Sequence, residues 1–533
     1  MRASRLDVFS WTLWLALLVL PGATVFSSQH TWDLPPYALI LVNLWTVLLV
    51  WTFAGRRWFL LATWPLALLG ALLVAADVVR HVNLAEVALA GGVRADEAMA
   101  AIGPYLWAIA LLAAALLALA LRPVLQRGPA PPAALPHNRR PWLAGLAVAG
   151  AVLAFASPGA FLRAWPLNLA ALGAARAGGH EALVATMLPY APIDPRNPSA
   201  SWQARRAQAP ALPETYVLVI GESVRADRLA ACGNSRAVRP KTPGILTYCD
   251  VMAGSSSTHT SVPLLLSRET PGGLLRVSSD ATFMKAFEQA GFETWWLSVQ
   301  EAQIAWPDAR HAHYVSSGVR DAARRGDREQ LAPLLQRALA SPAARKLIVL
   351  HTYDAHFNYC DRFDHARAQW PVDCAGLDEW PSADHRAALL AAYDNAVQES
   401  LRLVDHVVEA VAARGGASLV AYTSDHGENI FDDDRQLFQH ALNTPTRWDT
   451  RVPLLLWASP AWKEHAPARW KQLQANQAAA AMHGDIVPTL LGTAGISYAE
   501  PRATVADLGA RRPGPRTRLV LRRLGDAVDG DRL

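Results

Sequence analysis

No cysteine occurs before residue 232, and the chain of 533 residues has only four. No stretch interleaves basic and aromatic residues as a nucleic-acid surface does, so the net charge of +5 gives no case for a nucleic-acid partner. No clean cleavage site follows the first apolar run, although Arg2 and Arg5 precede it as they would in a secretory leader. That run is therefore read as a retained membrane span. Charged residues make up only 18% of the chain against 52% hydrophobic, a balance foreign to a water-soluble enzyme, and the apolar excess lies near the N-terminus.

Five stretches there approach the roughly 20 apolar residues that a membrane-crossing helix needs. They run from Phe9 to Phe26, Tyr37 to Phe53, Trp58 to Ala76, Tyr105 to Leu121 and Trp142 to Ala156. Short basic loops stay on the cytoplasmic side. Arg2 and Arg5, Arg56 and Arg57, and Arg122, Arg127, Arg139 and Arg140 all fall on one side of a five-span topology, which sends the chain after Ala156 to the opposite face, the periplasm of a bacterium. The four cysteines, Cys232, Cys249, Cys360 and Cys374, all lie in that exported part and suggest disulfides. Spacing favours Cys232 with Cys249 and Cys360 with Cys374; four buried free thiols are the competing possibility. The remaining positive charge, including the Arg-rich tail from Arg502 to Arg523, suits anionic lipid headgroups.

Between the third and fourth spans, Asp77 to Gly103 has a helix-like alternation that fits either a helix lying in the membrane interface or a plain connection. Residues 157–213 read as an amphipathic bridging segment and a Pro-rich linker. From Glu214, short apolar runs alternate with amphipathic helices: Tyr216 to Ile220, Glu293 to Ser298, Lys346 to His351, Ser418 to Ser424 and Val452 to Trp457, with the clearest helix over His385 to Arg414. This pattern predicts an α/β sandwich around a mostly parallel sheet. Active sites in such sheets form beyond the strands' carboxyl ends, which is where Glu222, His356, Asp425 and His426 fall.

The sequence TSDHGEN, Thr423 to Asn429, offers a carboxylate and an imidazole side by side at a strand end, a pairing suited to zinc. Glu222, in GESVRAD, is the natural third ligand, with Arg225 as a competing neutralising partner. The turn VMAGSSSTHTSVP leads into a helix starting near Thr258. A hydroxyl there serves either as a helix cap or as a nucleophile favoured by free backbone N–H groups, and Ser257 and Thr260 are its rivals.

Taken in order, GESVRAD, SSSTHTSVP, YDNAVQESLRLVD (Tyr393 to Asp405), SDHGE and HGDIVPTLLGTAGI (His483 to Ile496) resemble bacterial phosphoethanolamine transferases, members of the alkaline-phosphatase/sulfatase superfamily. The resemblance covers the chain end to end and implies a five-span helical membrane domain (residues 1–156) and an alkaline-phosphatase-like periplasmic catalytic domain (residues 214–533). It also implies a principal zinc at Glu222, Thr258, Asp425 and His426, with Thr258 as the nucleophile. His356 and His440 match histidines that contact the transferred phosphate or a second zinc. The implied donor is phosphatidylethanolamine, and the implied acceptor is lipid A, lipopolysaccharide core or another envelope glycan. A monomer in the bacterial inner membrane is expected.

The chain departs from that pattern in places. Cysteines that often bracket the nucleophile turn are replaced by Gly254 and Leu264, so packing must hold the turn. Phe357 follows His356, and Asn83 and Glu86 match the donor-binding helix only loosely. A sulfatase is disfavoured because Ser261-Val262-Pro263-Leu264-Leu265 lacks the arginine of the sulfatase nucleophile motif. The same residues are also compatible with phosphoglycerol transfer and with an inactive membrane scaffold.

Overall fold

The structure, a computed structural model, describes residues 5–21, 36–80, 106–125, 139–156, 164–167, 202–206, 212–268, 271, 282–300, 308–315, 326–353, 355–377, 381–442, 444–499, 504–522 and 527–533. The chain divides into two compact units, Met1–Ala191 and Pro192–Leu533. The loop bearing Asn83 and Glu86 and most of the bridging segment lie outside the described residues.

The first unit holds α1 (Arg5–Leu20), α2 (Pro36–Arg80), α3 (Leu106–Leu125) and α4 (Arg139–Ala156). The sequence predicts two separate spans within α2, where the helical pattern is unbroken. Its arms nevertheless lie side by side. Asn43 donates to the Leu18 carbonyl, and a side chain on Gly70 would meet the Leu17 carbonyl oxygen at 2.2 Å. In a straight helix residues 43 and 70 would be about 40 Å apart. The rings of Trp51 and Phe59, 5.3 Å apart, place the reversal between them, in the stretch carrying Arg56 and Arg57.

Five apolar segments are thus present among the described residues, and among these Trp58–Ala75 and Leu106–Leu125 are long and apolar enough to cross a membrane, while Ser10–Leu20, Ile40–Thr52 and Pro141–Leu153 are shorter. Phe155 is 94% exposed and Trp107 68%, as suits a surface facing hydrocarbon rather than water.

The second unit reaches back before Glu214. Trp202 is buried edge-on against Tyr498, and β1 (Arg205–Arg206) pairs antiparallel with β12 (Ile496–Ser497). Residues 202–206 therefore belong to the α/β unit, not to the linker that composition predicts. Proline-rich sequence signals extended chain, and extended chain is also what a sheet edge accepts.

Eight strands form the main sheet in the order β11 (Ala481–Met482), β3 (Leu246–Met252), β10 (Arg451–Ala458), β7 (Ala417–Ser424), β2 (Glu214–Gly221), β6 (Arg345–His351), β4 (Glu293–Ser298), β5 (His311–Tyr314). From β7 to β5 every pairing is parallel, while β10 runs antiparallel between β3 and β7. Successive side chains of a strand point to opposite faces. On β2, Tyr216, Leu218 and Ile220 enter one apolar core, while Val217 and Val219 enter the other with the buried stripe of α5 (Arg386–Arg414). Both faces are covered, which explains why the central strands read as unbroken apolar runs.

Candidate metal centre

Strands β2 and β7 lie in register, with Gly221 opposite Ser424, and the Asp425 N–H donates to the Gly221 carbonyl at 2.9 Å. The residue after each strand is thereby delivered to one place. Position 221 has no room for a side chain, because a Cβ would lie 2.3 Å from the Tyr422 hydroxyl.

Glu222, Asp425 and His426 are fully buried, and half-buried Thr258 opens the cluster to solvent. Thr258 Oγ1 stands 3.0 Å from His426 Nε2 and 3.2 Å from Glu222 Oε2. His426 Nε2 is 3.4 Å from Glu222 and 3.3 Å from Asp425 Oδ2. His426 Nδ1 lies 2.8 Å from the Gly427 carbonyl, which can only accept, so Nδ1 carries the proton and Nε2 turns its lone pair to the cluster. Asp425 Oδ1 accepts from the Ser223 and His426 N–H groups, whereas buried Oδ2 has no hydrogen-bond partner among the described residues. A carboxylate oxygen left bare beside a second carboxylate, an imidazole lone pair and a hydroxyl is a donor set for a cation, and its composition suits zinc. Burial disfavours the charged form of His426, yet Asp425 and Glu222 outweigh it and raise its pKa, so the pocket favours positive charge.

Thr258 opens the helix α6 (Thr258–Leu266), with Ser257 as its N-cap. Thr260 is turned away: its Oγ1 donates to Ser255 Oγ at 2.6 Å. His440 stacks toward His426 at a ring distance of 4.2 Å, and His356 stands 5.3 Å beyond it, so three imidazoles form a row leading from the cluster. Ligand atoms of Glu222, His426 and His440 all fall within 4.8 Å of one another. Burial drives the His356 pKa down to about 3, and its Nδ1 lies 2.6 Å from the Phe357 carbonyl. The neutral ring therefore keeps its lone pair on Nε2.

Gln300, which no sequence motif marks, donates from Nε2 to Glu222 Oε2 at 2.8 Å and to the Thr352 carbonyl. It lies two residues past β4, so the strand-end rule that locates the other ligands points to it as well. His483 carries no sequence signal beyond the motif it opens. Its Nε2 donates to the Ser424 carbonyl at 2.9 Å, and Nδ1 accepts from the Gly254 N–H, tying β7 to the turn before Thr258.

The YDNAVQESLRLVD segment supplies no ligand. Its polar face on α5 holds the chain that follows Glu222. Tyr393 bonds to the Ser223 carbonyl and the Arg225 N–H, Asp394 to Arg228 and Arg236, Gln398 to Arg239, and Asp405 to Lys241 and Thr242. Arg225 pairs with Asp227 and Asp432 rather than with Glu222. Disulfides join Cys232 to Cys249 and Cys360 to Cys374.

A family model described as sulfatase matches residues 214–496. The chain belongs to the sulfatase family. Among characterised relatives, it is 28% identical over 310 residues to the Kdo(2)-lipid A phosphoethanolamine 7''-transferase of Salmonella typhimurium, a match covering 55% of this chain and 53% of the relative. It is 25% identical over 302 residues to phosphoethanolamine transferase EptC of Escherichia coli, covering 54% and 52%. The chain thus spans about half the length of the curated relatives it matches. Among solved structures, integral membrane lipooligosaccharide phosphoethanolamine transferase A of Neisseria meningitidis shares the fold over 95% of this chain and 99% of its own, with 18% identity and a TM-score of 0.65. The periplasmic domain of E. coli EptC, solved in complex with Zn, covers 62% of this chain and 96% of its own, with 23% identity and a TM-score of 0.54.

Proposed function

We propose that the chain is an integral inner-membrane enzyme with its α/β unit in the periplasm, and that it moves phosphoethanolamine from phosphatidylethanolamine to lipid A or a related envelope glycan through Thr258. The observation that carries this reading is the half-exposed Thr258 hydroxyl set 3.0 Å from His426 Nε2 and 3.2 Å from Glu222 Oε2, at the opening of an otherwise buried cluster. The names of the relatives supply the group transferred, and the apolar helices of the first unit supply a route to a lipid donor.

Glu222, Asp425, His426 and Thr258 would hold the zinc. Bound there, it lowers the hydroxyl pKa and neutralises phosphoryl charge. Thr258 Oγ gives up its proton to solvent and forms a bond to the donor phosphorus while the phosphorus–oxygen bond to diacylglycerol breaks, and the diacylglycerol oxygen takes a proton from solvent. The N-terminal end of α6, which Thr258 opens, would set its helix dipole toward the phosphoryl oxygens. In the second step an acceptor oxygen displaces Thr258 and passes its proton to His440, while neutral His356 accepts a hydrogen bond at Nε2.

The test is transfer by the full chain in vesicles of phosphatidylethanolamine, with lipid A added. Mass spectrometry should find ethanolamine phosphate on lipid A and, without acceptor, on the peptide carrying Thr258. Transfer only from phosphatidylglycerol vesicles, or none from either lipid, would overturn the reading.

A further inference from the structure

The Arg-rich tail takes no part in the chemistry above, yet it ends behind the nucleophile. Strand β13 (Leu519–Leu521) pairs antiparallel with β14 (Ala527–Asp529) in a hairpin of their own. Leu521 donates its N–H to the Gly254 carbonyl at 2.8 Å and bridges Ser255, and its buried side chain packs on Leu264 of α6. Gly254 is therefore held on both sides, its carbonyl by Leu521 and its N–H by His483. From there the tie runs forward. Ser255 Oγ accepts from Thr260, the Ser256 carbonyl accepts from Ala441, and Thr258 follows.

The hairpin is itself anchored. Arg518, only 4% exposed, bonds to Asp250, Asp531 and the Ala481 carbonyl, and Arg451 meets the same two aspartates. Val520 joins Met252 and Met482 in a small apolar cluster, and Gly530 sits where a Cβ would lie 2.6 Å from Met252. A cavity of about 20 Å³ lined by Gly254, Leu264 and Leu519 lies between the turn and the hairpin.

We infer that the C-terminal hairpin braces the nucleophile turn, and that Leu521 is a positioning residue for Thr258, acting through Gly254 and Leu264. This rests on Thr258 being the nucleophile. A misplacement of about 1 Å at a reacting atom costs on the order of 100-fold in rate, which is the scale on which such a brace acts.

The geometry also provides a substitute for the brace. A Cβ on Gly254 would lie 3.3 Å from the Leu264 Cβ, close to the spacing that a disulfide spans. Leu521→Ala in the full chain should raise amide exchange in the peptide spanning residues 253–261, leave exchange in β2 and β7 unchanged, and lower kcat about tenfold or more while KM moves less than about twofold. Adding Gly254→Cys with Leu264→Cys should restore slow exchange and turnover when oxidised, and lose both on mild reduction. Unchanged exchange and kcat in Leu521→Ala, a loss shared equally by the whole sheet, or no rescue by the oxidised cross-link would each overturn the brace. If exchange and its rescue behave as stated while the parent chain shows no transfer, the brace stands and the proposed activity falls.

Discussion

Both carboxylate oxygens of Glu428 lie 3.3 Å from Nδ1 of His440, and Glu428 is wholly buried. An N–H on Nδ1 would donate to this carboxylate and leave the lone pair on His440 Nε2. Replacing Glu428 with Gln keeps the shape and removes that charged acceptor. We expect Glu428→Gln to lower kcat by about 10- to 100-fold with little change in Tm, as for other carboxylates that orient an active imidazole. Wild-type kcat in that variant would separate the pair from the reaction.

Thr258 is expected to be irreplaceable, its neighbours not. Ser257 sits at the N-cap position of α6, where its carbonyl accepts from the Thr260 and Ser261 N–H groups, and Thr260 is engaged with Ser255. Thr258→Ala should abolish the covalent adduct and reduce turnover by orders of magnitude in a folded protein. An adduct that persists in Thr258→Ala and disappears in Ser257→Ala would move the nucleophile by one residue.

Asp425 Oδ2 gives the metal prediction. Chelation, or Asp425→Asn, should reduce zinc from about one per chain and lower Tm, because an ion bound only by the native state adds its binding free energy to folding. Elemental analysis paired with thermal unfolding checks this, and equal Tm values with and without chelator would contradict it.

Reducing the Cys232–Cys249 link should matter for stability. It closes a loop of 17 residues between Glu222 and β3, for which loop-closure entropy predicts about 3 kcal/mol. Denaturant unfolding of Cys232→Ser against the parent measures it.

His351 is buried at the end of β6, and burial lowers its pKa from 6.5 to about 3. Between those limits the unfolded chain binds a proton that the folded chain refuses. The stability it contributes is complete above pH 6.5 and is lost as pH falls toward 3, by about 2 kcal/mol between pH 6.5 and 5. His351→Asn should flatten the acid limb of an unfolding-free-energy profile by roughly that amount, and an unchanged slope would count against the burial argument.

The core strands and the strand-end ligands can be read from the chain because buried strands leave continuous apolar runs and a polar residue just after one needs a reason to be there. Glu222, Asp425 and His426 follow that rule directly. Gln300 obeys it too, but an amide after a strand is a weaker signal than a charged side chain. Arg225 competes for Glu222 in the sequence because it is three residues away, and the fold sends it to Asp432 instead. The involvement of Trp202 and Leu521 depends on contacts between residues far apart in the chain, Trp202 with Tyr498 and Leu521 with Gly254, and no local pattern carries that information. The doubling back of α2 is legible for a different reason: Arg56 and Arg57 interrupt the apolar run at the place where Trp51 and Phe59 come together.

Helix α5 contributes none of the ligands, yet Tyr393, Asp394, Gln398 and Asp405 hold the chain from Ser223 to Thr242 in place. Anyone transplanting this centre into a new scaffold by copying its strand ends would move the chemistry without its mould. The smallest portable module is the two strands together with this helix, and a graft that omits the helix would leave Glu222 at the head of an untethered loop.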